Sequence, residues 1–152
     1  MKVLFLDIDG VLNSEKWFKE RTKEQQFSHA SELCVELMHL FDEIVEQTGC
    51  KVVLSSTWRL SRTWREDLEH QGLNTNSIID RTPHMPRPAG TSVEYCERGK
   101  EIAQWLSEHP EVTVYAILDD DRDMLPEQPF FRTTWKIGLT EEIRDKVIEH
   151  LK

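Results

Sequence analysis

Two short apolar runs stop abruptly on acids, and this pattern limits the fold more than any other feature of the chain. Lys2 to Leu6 ends at Asp7-Ile8-Asp9-Gly10, and Val112 to Leu118 ends at Asp119-Asp120-Asp121. Each run is long enough only for a buried strand. Cys50 to Leu54 is a third such run, ending at Ser55-Ser56-Thr57, and Ser77 to Asp80 and Thr133 to Ile137 read as brief further strands. Helical patterns alternate with them. Leu33, Leu37, Leu40, Phe41 and Ile44 recur every three or four residues, with Ser31 as N-cap and Gly49 as stop. Thr63 and Glu66 form a capping-box pair ahead of a helix through Glu69. Gly99 opens a helix carrying Ile102, Ala103 and Leu106, closed by Pro110, and Thr140 begins a last helix with Ile143, Val147 and Leu151 on one face. Strands alternating with helices imply an α/β fold: a three-layer, Rossmann-like sandwich with a mostly parallel central sheet.

In such a sheet, ligands bind beyond the carboxyl ends of the strands. If the first and the Val112 strands are neighbours, Asp7, Asp9, Asp119, Asp120 and Asp123 meet at one spot. Carboxylates so gathered repel one another unless a hard cation neutralises them, and oxygen-only ligation suits Mg²⁺. Read singly, either cluster equally fits helix caps and solvated turn residues; the joint placement after two apolar strands favours a site. Competing motifs fail. Asp119-x-Asp121-x-Asp123 imitates the start of a calcium loop, but Met124 occupies the glycine position and Phe130 the glutamate position. No dinucleotide fingerprint or phosphate loop can be written around the six glycines, and there is no serine nucleophile elbow.

Length bounds the answer to one domain over residues 1–152, with an irregular insertion around 81–97 marked by Pro83, Pro86, Pro88 and Gly90. The net charge of −9 argues against broad adhesion to nucleic acid. Cys34, Cys50 and Cys96 fit neither a disulfide framework nor a zinc site, so a reducing cytoplasm is the expected compartment. Val3 to Leu6 is cut short by Asp7 and Asp9, which leaves no expected export signal or membrane span there.

Four segments together resemble the haloacid dehalogenase (HAD) superfamily of phosphotransferases. Leu4-Phe5-Leu6-Asp7-Ile8-Asp9-Gly10-Val11-Leu12 is similar to its first motif and Val52-Val53-Leu54-Ser55-Ser56 to its second. Arg98-Gly99-Lys100-Glu101-Ile102 resembles the third and Ala116-Ile117-Leu118-Asp119-Asp120 the fourth. The Ser-Ser-x-Trp-Arg, Arg-Gly-x-Glu-Ile and Asp-Asp-x-x-Asp-Met phrases look similar to small HAD domains associated with RNA-repair proteins. The resemblance implies a HAD-like sandwich with a minimal cap, a Mg²⁺ cofactor and hydrolysis of a phosphomonoester. By the same resemblance Asp7 is the nucleophile and Asp9 the acid and base. Ser55 donates to a phosphate oxygen, and Arg98 or Lys100 balances its charge. Asp7, Asp9, Asp119, Asp120 and Asp123 supply the metal set, with Asp120 a direct ligand. Gly10, Ser56, Trp58 and Arg59 are the candidate substrate-binding residues.

Trp58, Arg59, Arg62 and Arg65 read either as stacking and phosphate contacts for an RNA or DNA end, or as core and solvated helix face. Trp17 and Phe18 are candidates for a flap, although one helix accounts for most of the chain between Asp9 and Ser55. The preferred substrate is a nucleic-acid end phosphate. A small nucleotide or sugar phosphatase, or a non-catalytic domain that binds metal or a partner, are the alternatives.

Overall fold

The computed structural model describes residues 1–86, 89–90 and 97–152. Residues 87–88 and 91–96 of the expected insertion, Cys96 included, lie outside the described residues. Five parallel strands form one sheet in the order β3-β2-β1-β4-β5, with β1 at Lys2–Leu6, β2 at Lys51–Leu54, β3 at Ile78–Arg81, β4 at Val114–Asp119 and β5 at Phe130–Arg132. β1 is central, so both its faces are buried. Leu4 and Leu6 enter one apolar core, Val3 and Phe5 the other.

The larger core packs under α3 (Val35–Thr48) and α6 (Glu141–Leu151). From these helices Leu37, Met38, Phe41, Ile44, Val147, Ile148 and Leu151 meet Leu4, Val52 and Leu118 of the sheet. α3 stops where the periodicity stops, because Gly49 adopts the left-handed conformation (φ 68°) and its N–H closes on Val45 O. Thr140 caps α6 by accepting from the Ile143 N–H. α5 (Glu97–Ser107) covers the opposite face, where the Phe5 ring meets Trp105 and Tyr115 edge-on at 5.5 and 5.8 Å.

The structure departs from expectation in five places. α3 starts at Val35, not after Ser31: the Ser31 carbonyl is taken by the Trp17 indole and Arg21, and Cys34 N–H by Leu12 O, which keeps residues 31–34 out of the helix. Two short helices, α1 (Glu15–Glu20) and α2 (Lys23–Phe27), precede it, so one helix does not account for the segment after Asp9. The Thr63 hydroxyl bonds Asp67 instead of capping α4 (Trp64–His70). Gly99 lies inside α5, not at its start. A Cβ there would stand 2.7 Å from the Leu125 nitrogen, so the position admits close approach of the 124–128 segment. The last strand lies at 130–132, not 133–137, because Thr133 turns inward to donate to Gly10 O (2.6 Å) and the chain then reverses at Gly138 (φ 72°).

Candidate active site

Register builds the site. Leu6 pairs with Leu54 on one side and with Leu118 on the other, so the next residues, Asp7, Ser55 and Asp119, stand level at the carboxyl edge. Asp7 N–H donates to Leu118 O and Ser55 N–H to Leu6 O, each at 3.0 Å, which extends the ladder one step into the site. This is where the strand order reverses between β1 and β4, the expected ligand crevice of an open parallel sheet.

Asp7, Asp119 and Asp120 each bring a carboxylate oxygen to within 4.8 Å of the others. Asp119 is fully buried and Asp7 is 5% exposed. Burial, then the Asp119 charge, push the Asp7 carboxyl well above the usual carboxylate range, although Arg98 opposes this. Burial and Asp119 raise Asp120 as well. Arg98 answers part of this charge: its Nη1 lies 3.1 Å from Asp7 Oδ1 and 2.7 Å from Asp119 Oδ2. Burial alone would lower the guanidinium, but Asp119 and Asp7 hold it above its ordinary value. Three acids against one arginine leave a negative, oxygen-only donor set, which fits a hard divalent cation.

The family described as "HAD domain in Swiss Army Knife RNA repair proteins" matches the chain over residues 3–143. This chain is a HAD domain of that family. No curated protein and no solved structure matches it. No helix among the described residues of this HAD domain is long and apolar enough to cross a membrane.

Several expected residues sit elsewhere in the HAD domain than their spacing implied. Arg59 is turned inward. Its Nε donates to Thr82 O, its Nη1 to Ser55 O and Ser56 O, and its Nη2 to Pro83 O and Glu101, all at 2.9–3.2 Å, with 3% of the residue exposed. Every donor is spent inside the protein. The Ser56 hydroxyl caps the 3₁₀ turn Thr57–Leu60 by accepting from the Trp58 N–H. Arg65 is committed to Thr75 O and Ile78 O. Trp17 packs on the larger core and its indole bonds Ser31 O, so it belongs to the body rather than to a free flap. Lys100 is exposed, because two positions along α5 from Arg98 is more than half a helical turn round the axis.

Asp9 and Asp123 stand outside the three-carboxylate group. Asp9 is exposed, its Oδ1 accepting from Asn13 Nδ2 (2.9 Å) and its Oδ2 from Trp58 Nε1 (3.1 Å). Asp123 Oδ2 accepts from the Arg98 N–H, while its buried Oδ1 has no partner among the described residues. The Ser55 hydroxyl is likewise buried and without a partner there. Asn13 and Glu101 were not singled out in the sequence. Glu101 had a signal, since Arg98, Glu101, Ile102 and Trp105 recur at helical spacing and place a charge on the buried face of α5.

Gly10 carries two constraints at once. Its φ is 82°, and a Cβ would stand 2.1 Å from Asp120 Oδ2 and 2.9 Å from Asp120 Cβ, so the whole acid would have to move. Gly10→Ala is expected to lose about 2 kcal/mol or more of stability. Gly49→Ala, at φ 68° but in open space, is the control for conformation alone, at about 1 kcal/mol. Thermal unfolding of both variants beside the wild type checks the difference.

Proposed function

We propose that this HAD domain is a Mg²⁺-dependent phosphomonoester hydrolase whose preferred substrate is a phosphate at the end of a nucleic-acid strand. The observation that carries the reading is the level placement of Asp7, Ser55 and Asp119 with Arg98 across them. In one crevice it supplies a nucleophile, an unpartnered buried hydroxyl and a fixed cation.

In the proposed reaction an Asp7 carboxylate oxygen attacks phosphorus in line, the bond from phosphorus to the leaving oxygen breaks, and Asp9 gives that oxygen its proton. Asp9 then takes a proton from water as the water attacks the aspartyl-phosphate. The bond to Asp7 breaks, releasing inorganic phosphate and restoring both acids. The Ser55 hydroxyl donates to one phosphate oxygen, and Arg98 balances charge while holding Asp7 and Asp119 in place. Asp7, Asp119 and Asp120 would hold the Mg²⁺, which supplies charge neutralisation between the carboxylates and the phosphate. Asp123 orients the start of α5 through the Arg98 N–H.

Support for an RNA or DNA end comes from the family's association with RNA repair proteins and from an arginine at the rim. Arg132 is exposed, and its Nε donates to Asp120 O beside the acids. A local cation offsets a net charge of −9 where the substrate docks. Cys34 and Cys50 are buried free thiols, in keeping with a reducing cytoplasm.

The test is a panel of 3′- and 5′-phosphorylated RNA and DNA oligonucleotides, mononucleotides, sugar phosphates and an aryl phosphate, each with Mg²⁺ or with chelator. Turnover is expected only with Mg²⁺, and kcat/KM at least about tenfold higher on one class of oligonucleotide end than on mononucleotides. Equal rates across the panel would leave a general small-molecule phosphatase. No turnover on any member would leave a domain that binds metal or a partner without chemistry.

A further inference from the structure

Asp9 has an exposed carboxylate at the start of a tight turn, a setting in which an aspartate samples several rotamers. Here it is gripped from two sides. Asn13, only 1% exposed, accepts from the Gly10 N–H through Oδ1 and donates through Nδ2 to Asp9 Oδ1 and Glu32 O. From the other side, the Trp58 indole N–H reaches Asp9 Oδ2 at 3.1 Å, across 49 residues of sequence. The indole is rigidly mounted. Its ring packs on the larger core, Ser56 caps its turn, and the neighbouring Arg59 ties that turn to Thr82, Pro83 and Glu101.

We propose that Trp58 is a positioning residue for the acid step: its indole N–H fixes the Asp9 carboxylate in the orientation that delivers a proton to the leaving oxygen. The proposal rests on the hydrolase reading above and adds a role for a residue that sequence reasoning took for a stacking platform or core. Each carboxylate oxygen has more than one acceptor direction, so the indole and Asn13 can hold Asp9 while a lone pair on it still carries the proton. A donor that only orients matters most where proton delivery limits the step. An alkyl phosphomonoester expels a strongly basic alkoxide and needs that proton; p-nitrophenyl phosphate expels a phenolate stable without it.

The experiment measures kcat and KM on p-nitrophenyl phosphate and on β-glycerophosphate, with Mg²⁺, for wild type, Trp58→Phe, Asp9→Asn and the double variant. A fifth protein carries β-(3-benzothienyl)alanine at position 58, which keeps the bicyclic shape and replaces only N–H by sulfur, so a packing defect in Trp58→Phe does not decide the result. The expected outcome for both replacements is a fall in kcat of about tenfold on β-glycerophosphate and less than about twofold on p-nitrophenyl phosphate, with KM little changed. In the Asp9→Asn background, removing the indole N–H should add no further loss. An equal fall on both substrates, a change confined to KM, or losses that multiply in the double variant would overturn the proposal and leave the hydrolase reading standing. A wild type inactive on both probes and on the phosphorylated oligonucleotides would overturn both.

Discussion

Asp7→Asn is expected to lower turnover by about a thousandfold or more while making the metal-free protein more stable. In the proposed reaction the loss of activity follows from removing the attacking carboxylate, since an amide oxygen is a poor attacking group at phosphorus. The gain follows from the site's electrostatics. Burial and Asp119 raise the Asp7 carboxyl in the folded state, so over the range between its unfolded and folded values the native protein holds more protons than the unfolded chain. Stability therefore falls as pH rises through that range, and the metal-free wild type carries more of the cost of a buried, crowded charge the higher the pH. Asparagine removes the charge, and Arg98 keeps Asp119 as its partner. A thermal midpoint about 3–6 °C above wild type at pH 7.5 without metal, narrowing as pH falls, is the expected pattern, and added Mg²⁺ should reverse the order. A variant less stable than wild type at neutral pH without metal would contradict the electrostatic account.

Arg59→Ala should be the most damaging change outside the acids. Arg59 and Glu101 form an ion pair with side chains 3% and 4% exposed, and the guanidinium also closes on the carbonyls of Ser55, Ser56, Thr82 and Pro83. Removing one partner of a buried pair leaves the other charge without compensation, at a cost of about 3–5 kcal/mol. For a domain of this size that is a midpoint about 10–15 °C lower. Arg59→Lys should recover only part of it, because a single ammonium cannot span carbonyls from two segments and a carboxylate from a third as a planar fork does. Calorimetry on the three proteins checks the ranking. If Arg59 served substrate instead, alanine would leave the midpoint within about 1 °C and raise KM.

Much of the scaffold was legible because burial writes a period into the sequence. β1, β2 and β4 are apolar runs, α3 and α6 carry stripes of three and four, and the acids interrupt the strands where the sheet ends. What escaped has no period to read. α1 and α2 contain no buried residue, so neither shows an apolar stripe, and the only local cues are the Ser14 cap and the Thr22–Gln25 capping box. β5 has three residues, too few to show alternation. The direction of Arg59 is set by Thr82, Pro83 and Glu101, brought close only by the fold, and an arginine in a turn after two serines looks the same whether it faces a ligand or the core. Asp9 shows the same limit: its spacing from Asp7 is explicit, but its two holders, Asn13 and Trp58, are visible only once the turns are formed.

The level alignment of Asp7, Ser55 and Asp119 also has a temporal meaning. Asp7 follows β1, yet its partner acids come from β4, which pairs with β1 across most of the sequence. No fragment lacking β4 carries the carboxylate group, so a cation has little to grip in a partly built chain. Metal binding should then act after the sheet has closed, lengthening the lifetime of the finished fold far more than it hastens its formation.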